Sequence, residues 1–314
     1  MKKIIAFIVI LLTIGSSQIV HADSGIVNTA SASLSVRKSP STSSPSIGSL
    51  PKNTKINTLG KSSGFYKISY KGKIGYVYSS FIKLGNTNAK PTVVNLNIPV
   101  LMYHKLTTDP KKTNSLTILK STFSSHMNYL KTHGYNTISL DQLLNYISKN
   151  SPLPKNPVVL TFDDGYVSNY TIAYPILKAN KQKATVFAIA NNTDKYTSFL
   201  TSKQLKEMDA NNFRVENHTY NHDNLASLSY AKQLASITKS KQILEKILGR
   251  KEVYIAYPFG SYNANTLKAA KAAGCKMGLT TDNGVTSRKD NLYKIHRKFV
   301  NSTDSLSTLA KKLK

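Results

Sequence analysis

Pro157-Val158-Val159-Leu160-Thr161-Phe162-Asp163-Asp164-Gly165 reads as an apolar strand that stops in two adjacent carboxylates and a glycine. Neighbouring residues of a strand point to opposite sides, but a chain that turns at Gly165 lets both carboxylates reach one site with different tasks. Taken alone, Asp-Asp-Gly is equally a solvated turn. Outward from this stretch, short apolar runs alternate with helix-period patterns. Strands are expected at 99–103, 158–162, 184–188, 213–217, 253–257, 277–280 and 292–300, with helices at 122–132, 167–180, 202–211, 230–248 and 265–273. The alternation predicts an α/β fold, a distorted (β/α) barrel of about seven strands, closed or nearly so. In such a barrel the residues at the C-terminal ends of the strands line the active site.

A second cluster follows the strand expected at 213–217, in Asn217-His218-Thr219-Tyr220-Asn221-His222. A spacing of four places both imidazoles on one face of a helical turn, close enough to share a metal. Two histidines need a third ligand, and Asp164 supplies it, with positions left open for water and substrate as a catalytic site requires. A third segment, Ala256-Tyr257-Pro258-Phe259-Gly260, ends another strand. Its Pro and Gly fix an unusual backbone path that can aim a main-chain N–H at a developing oxyanion; alone it is an ordinary turn.

The chain of 314 residues carries a net charge of +28 and one cysteine, Cys275. A single cysteine forms no intrachain disulfide, and Cys275 is read as a small buried hydrophobe. Lys2-Lys3, an apolar run from Ile4 to Ile14 and Val20-His21-Ala22 form the pattern of a secretory signal peptide over 1–22, cleaved after Ala22. The apolar run is too short to span a membrane, and no later stretch is apolar enough. Cleavage removes two lysines and no acid, so the mature chain stays strongly cationic. Such a charge suits polyanions in general, but export points to anionic wall polymers rather than nucleic acid. A secreted, cell-wall-associated protein is expected, with no transmembrane segment in the mature chain.

Between Ser24 and Thr108 there is no acidic residue, and Ile26 to Leu84 holds nine lysines and arginines. Period-two alternation in Tyr66, Ile68, Tyr70 and again in Ile74, Tyr76, Tyr78, around Lys71-Gly72, predicts a β-hairpin in a small all-β module at 26–84. Gly85 to Asn97 lacks apolar periodicity and reads as a linker at 85–97, leaving 98–314 for the barrel.

Leu34-Ser35-Val36-Arg37, Ser39-Pro40-Ser41, Ile47-Gly48, Gly64-Phe65-Tyr66-Lys67-Ile68 and Gly75-Tyr76-Val77 resemble a bacterial SH3 domain. Ser35 and Phe65 stand where that family usually has Asn and Trp. The resemblance implies a small SH3-like barrel that binds wall peptides or glycan. Thr161-Phe162-Asp163-Asp164-Gly165, His218-Thr219-Tyr220-Asn221-His222 and Tyr257-Pro258-Phe259-Gly260 together resemble the successive motifs of the polysaccharide deacetylases, carbohydrate esterase family 4, over roughly Ile98 to Val300.

That resemblance implies Asp163 as the general base, and Asp164, His218 and His222 as ligands of a divalent metal, zinc by preference, although cobalt, nickel or manganese suit the same donors. It also implies Tyr257 and Phe259 at the substrate and oxyanion, with the Phe259 N–H completing the oxyanion hole. The usual Asp-and-Trp motif is absent, since the chain has no Trp, and Ala256 stands where an Arg is usual. Ile295-His296-Arg297 matches the late Leu-x-His motif poorly. His104 instead closes the run Val100-Leu101-Met102-Tyr103, and the first and last strands of a closed barrel are neighbours, so His104 is read as the general acid. An early Tyr-His with Tyr-Pro-Phe-Gly is similar to the pattern of some exopolysaccharide deacetylases. His296 is read as structural, Arg297 as a replacement partner for Asp163, and His126 and His133 as surface residues. The expected function is N-deacetylation of peptidoglycan or poly-N-acetylglucosamine. An O-acetyl esterase and a non-catalytic wall-binding protein are the alternatives.

Overall fold

A computed structural model describes residues 24–84 and 96–314. The expected signal peptide and nearly all of the expected linker lie outside the described residues. The described residues divide into two compact units, one comprising 24–84 and the other 96–314.

The first unit is all-β: β1 (Ser24–Val27), β2 (Ser33–Arg37), β3 (Ser46–Pro51), β4 (Lys55–Ser62), β5 (Phe65–Tyr70), β6 (Lys73–Tyr78) and β7 (Ile82–Leu84). They pair in the order β3-β2-β6-β5-β4-β1-β7 around Val27, Leu34, Val36, Ile56, Ile68, Val77 and Ile82. The expected hairpin is β5–β6, and Lys71 and Gly72 both take positive φ (47° and 76°), as a two-residue turn matched to strand twist requires. In β6 the inward residues are Gly75 and Val77, whereas Ile74 and Tyr78 are exposed.

The second unit is a closed parallel barrel. Its strands are β8 (Val100–Tyr103), β9 (Lys105–Thr107), β10 (Thr117–Leu119), β11 (Asn136–Thr137), β12 (Pro157–Phe162), β13 (Ala184–Ala188), β14 (Phe213–Asn217), β15 (Tyr254–Ala256), β16 (Met277–Asn283) and β17 (Ile295–Phe299). Its helices are α1 (Lys120–Thr132), α2 (Leu140–Lys149), α3 (Tyr174–Asn180), α4 (Ser202–Asp209), α5 (Tyr230–Leu248), α6 (Ala264–Ala272) and α7 (Leu306–Lys312). The staves run β12, β13, β14, β15, β16, β17, β8, and β8 pairs with β12 to close the ring. All seven are strands the sequence predicts, and first and last are neighbours. Alternation sorts the side chains: Val158, Leu160 and Phe162 of β12 pack in one apolar cluster and Val159 in another.

Three differences bear on the site. The helix expected over 167–180 begins as a π-helical turn, Asn169–Ala173, before α3. His218 and His222 stand in a turn after β14, with Thr219 and His222 at positive φ (64° and 59°), and not on one face of a helical turn. His126 is buried rather than on the surface: its Nδ1 lies 3.3 Å from the Tyr103 hydroxyl and its Nε2 3.0 Å from the Asp304 carbonyl. The period of α1 puts His126 on the same face as Phe123, Met127 and Leu130. His133 is exposed and Cys275 buried, as expected.

Candidate active site

Asp163 follows β12 on the face that Val159 and Thr161 share. Its N–H donates to the Tyr103 carbonyl at 2.9 Å, which ties it to β8. Asp164 reaches the same side because it, like Gly165, adopts positive φ (72° and 76°). A Cβ at position 165 would sit 3.2 Å from the Ala188 Cα, a tight approach that adds to the conformational reason for glycine there.

Arg297 enters from β17. Its Nη1 and Nη2 donate to Asp163 Oδ1 and Oδ2, each at 2.7 Å, while Nε donates to the Thr280 carbonyl at 2.7 Å. Both partners are buried. Burial pushes the Asp163 carboxyl up, but Arg297 and His218 outweigh it and hold the group below the ordinary carboxylate range. Asp163 is therefore an anion at neutral pH, with a guanidinium fixing the plane of both oxygens.

Asp164 Oδ1 lies 3.4 Å from His218 Nε2 and 3.2 Å from His222 Nε2, without a directed hydrogen bond to either. One ligand atom from each of the three residues lies within 4.8 Å of the others. His218 Nδ1 is 2.9 Å from the Ala256 carbonyl, which makes Nδ1 the protonated nitrogen and leaves Nε2 bare. A buried carboxylate oxygen with no donor and two convergent imidazole nitrogens form a donor set that fits a divalent transition metal. Burial works against the Asp164 anion, yet the two imidazoles beside it hold its carboxyl far below the usual range.

His104 follows β8 across the mouth. Its Nε2 is 4.0 Å from Asp163 Oδ2, and its ring meets Phe299 edge-on at 6.0 Å. Burial lowers its pKa, against the opposing pull of Asp163 and Asp164. Asn169, in the π-helical turn, donates to the His104 carbonyl at 2.7 Å. Phe259 holds positive φ (60°), is 65 % exposed and presses its ring edgewise on His222 at 4.4 Å. Met102, His104, Leu116, Asp163, Asp164, His218, His222, Phe259, Thr281 and Phe299 line one cavity of about 230 Å³.

Two expected residues stand apart. Tyr257 is fully buried, its N–H bonded to the Leu279 carbonyl and its hydroxyl to the Tyr293 carbonyl, so neither can meet substrate or oxyanion. Strand alternation turns Tyr257 into the core beneath the turn, whereas Phe259 lines the cavity. His296 lies 3.5 Å from Asp290 on the face of β17 opposite Arg297, outside the cavity. Asn169 and Asn217 went unassigned in the sequence; the only signal for Asn217 is a polar amide ending an apolar strand beside His218.

A closed β/α barrel with an arginine-held carboxylate and an Asp-His-His cluster at the C-terminal ends of its strands defines a candidate hydrolytic metal centre. Residues 150–278 match the family Polysaccharide deacetylase, and residues 32–83 match Bacterial SH3 domain. The chain is 36% identical over 200 residues to the Bacillus subtilis (strain 168) protein YxkH, named as a polysaccharide deacetylase; the match covers 64% of this chain and 70% of that one. It is 30% identical over 215 residues to the poly-beta-1,6-N-acetyl-D-glucosamine N-deacetylase of Staphylococcus aureus (strain MRSA252), covering 64% and 73%. Among solved structures, Streptococcus pyogenes deacetylase PplD in complex with acetate superimposes with a TM-score of 0.67 at 32% identity, over 70% of this chain and 99% of that one. The chain belongs to the polysaccharide deacetylases, a family of hydrolases.

Proposed function

We propose that this chain is a secreted, metal-dependent N-deacetylase that removes acetyl groups from N-acetylglucosamine-type residues of a wall or extracellular polymer. The observation that carries the reading is the convergence of Asp164, His218 and His222 beside an Asp163 locked by Arg297. Asp164, His218 and His222 would hold a divalent ion, zinc by preference, which would supply Lewis acidity to the acetamide and to the attacking water. Asp163, held anionic by Arg297, accepts the proton of that water. The Phe259 N–H, presented by the positive φ, donates to the carbonyl oxygen as it gains charge. His104, across the cavity, delivers a proton to the leaving nitrogen, so that acetate and a free amine separate.

For the polymer, similarity to the poly-beta-1,6-N-acetyl-D-glucosamine N-deacetylase of Staphylococcus aureus supports an exopolysaccharide. The basic segment 26–84, which holds no acidic residue, supports retention at an anionic wall polymer. That unit carries a cleft of about 240 Å³ where Phe65, Tyr78 and Phe81 stand in an aromatic row with Arg37 nearby. The division proposed is a signal peptide at 1–22, an SH3-like domain at 26–84, a linker at 85–97 and a deacetylase domain at 98–314.

The test is mass spectrometry of poly-β-1,6-N-acetylglucosamine and peptidoglycan fragments after incubation with the zinc-loaded chain. Loss of one acetyl mass from amine nitrogen on either polymer supports the reading. Release from O-acetylated glycan alone makes the chain an esterase, and no release from any polymer sinks it.

A further inference from the structure

Among the described residues, twelve that are not glycine hold positive φ. Eight of them are polar and exposed. The other four, Asp164, Thr219, His222 and Phe259, all stand at the candidate site. Thr219 departs furthest from what its side chain favours, because it is β-branched and fully buried. Nothing in its own chemistry favours a left-handed backbone, so its surroundings must impose one.

Asn217, the last residue of β14, does so most directly. Its Oδ1 accepts the Thr219 N–H at 2.8 Å. Its Nδ2 donates to the Ile237 carbonyl in α5 at 3.2 Å and to Glu252 Oε2 at 3.1 Å. Three polar groups on three segments thus fix the amide plane, and swapping its nitrogen and oxygen would face donor against donor and acceptor against acceptor. The turn is also clamped further along, where Thr219 Oγ1 accepts the Asp223 N–H at 2.9 Å and Ser236 binds both the Tyr220 N–H and Asp223. The Thr219 carbonyl also accepts the Ala190 N–H at 3.3 Å, but among the described side chains only Asn217 binds the main chain of the residue that separates the direction of His218 from that of Tyr220, Asn221 and His222.

We infer that Asn217 is a positioning residue for the metal cluster: by holding Thr219 left-handed it sets where His222 stands relative to His218. This rests on the reading of Asp164, His218 and His222 as metal ligands. Losing the hold lets Thr219 relax toward negative φ, which swings His222 away while His218, anchored on the Ala256 carbonyl, stays in place.

The experiment measures Zn²⁺ affinity of the full chain by chelator competition and records the ligand-field spectrum of the Co²⁺ form, with folding of each variant followed by circular dichroism. Asn217→Ala is expected to weaken Zn²⁺ binding about 10- to 100-fold, the usual effect of losing a support behind the ligands, and to alter the Co²⁺ spectrum. Asn217→Asp keeps an acceptor for the Thr219 N–H while setting an oxygen against the Ile237 carbonyl and Glu252, and is expected to bind Zn²⁺ less tightly than wild type but more tightly than Asn217→Ala. Adding Thr219→Gly to Asn217→Ala should recover part of the affinity, since glycine takes positive φ unaided. A merely structural role predicts loss of stability with no such recovery.

Wild-type affinity in a folded Asn217→Ala overturns the inference, as does a double variant no better than the single one. If Asn217→Ala does not fold, Asn217→Asp decides, and a loss of full size with the acceptor intact overturns it. A wild-type chain that takes up no Zn²⁺ overturns the metal reading with it, whereas wild-type uptake with an indifferent Asn217 overturns this inference alone.

Discussion

Arg297 and Asp163 form a two-pronged ion pair inside the barrel, joining the last stave to the end of β12 with both N–O distances at 2.7 Å. Lysine cannot reproduce that fork. Arg297→Met leaves a buried carboxylate without its counter-charge and is expected to cost about 3–5 kcal/mol in denaturant unfolding. Arg297→Lys retains the charge and should fold. It is expected to lower kcat for acetate release, and to move the acid limb of kcat/KM modestly to higher pH, because Asp163 keeps the neighbouring charge but loses the two-pronged hydrogen bond that adds to the lowering of its pKa. An unmoved limb would separate Arg297 from the base.

His104 faces Asp163 at 4.0 Å in the cavity, whereas His296 faces Asp290 outside it. His104→Asn is therefore expected to reduce kcat by roughly 10²- to 10⁴-fold, the range for removing a general acid, while His296→Asn stays near wild type. Acetate release from the two purified variants decides. Loss confined to the His296 variant would reverse the assignment.

All seven staves and five of the helices were legible in the sequence because apolar runs and 3.6-residue periods record burial directly. Arg297 was legible only as a substitute for the missing arginine, whereas His104 was legible once the barrel was supposed closed. The turn at His218 was not, since a spacing of four is as compatible with a helix as with a loop, and the left-handed Thr219 is imposed by Asn217, Asp223 and strand contacts remote in sequence. The burial of His126 is hidden from the sequence for a related reason. A histidine on an apolar stripe reads as polar and exposed until its partners, the Tyr103 hydroxyl and the Asp304 carbonyl, are known.

Removal of metal gives a prediction on stability as well as turnover. Dialysis against a chelator should abolish acetate release, and Zn²⁺ should restore it. A ligand that binds only the folded chain stabilises it by about 2.7 kcal/mol at a concentration 100 times its Kd, so Zn²⁺ should raise the melting temperature. His222→Ala removes one of three donors and is expected to lose most of that rise. A zinc-independent melting temperature in wild type would argue against Asp164, His218 and His222 as ligands.

His126 provides a test of pH dependence away from the cavity. Burial lowers its pKa from the ordinary value of about 6.5, opposed by the Asp304 carbonyl and carboxylate and aided by Lys312. A histidine whose folded pKa is depressed binds its proton less readily than in the unfolded chain. Its contribution is thus fully present above about pH 6.5 and is lost as pH falls toward the folded value. In metal-free protein the unfolding free energy of wild type should decline more steeply below pH 6.5 than that of His126→Gln. His104 shares the direction, and His218, raised in the folded state, opposes it, so the difference between the two proteins is the informative quantity. Parallel curves would show that His126 titrates as it does in the unfolded chain.

Phe259 and Gly260 both hold positive φ, 60° and 65°, but for different reasons, and substitutions should separate them. Gly260 is confined by space: a Cβ there would lie 1.8 Å from Thr281 Oγ1, so Gly260→Ala must displace a residue of the cavity wall and should reduce both stability and kcat. Phe259 is exposed, and on the proposed mechanism its positive φ serves the main-chain N–H that donates to the oxyanion. Phe259→Gly relieves that strain and leaves the N–H in place, so it is expected to raise unfolding stability by about 0.4–1 kcal/mol where the loss of chain stiffness does not cancel it. The lost ring beside His222 should appear as a higher KM with kcat little changed, since the proposed donor to the oxyanion is main-chain. A large fall in kcat for Phe259→Gly would mean that the ring, and not the N–H, is what the positive φ serves.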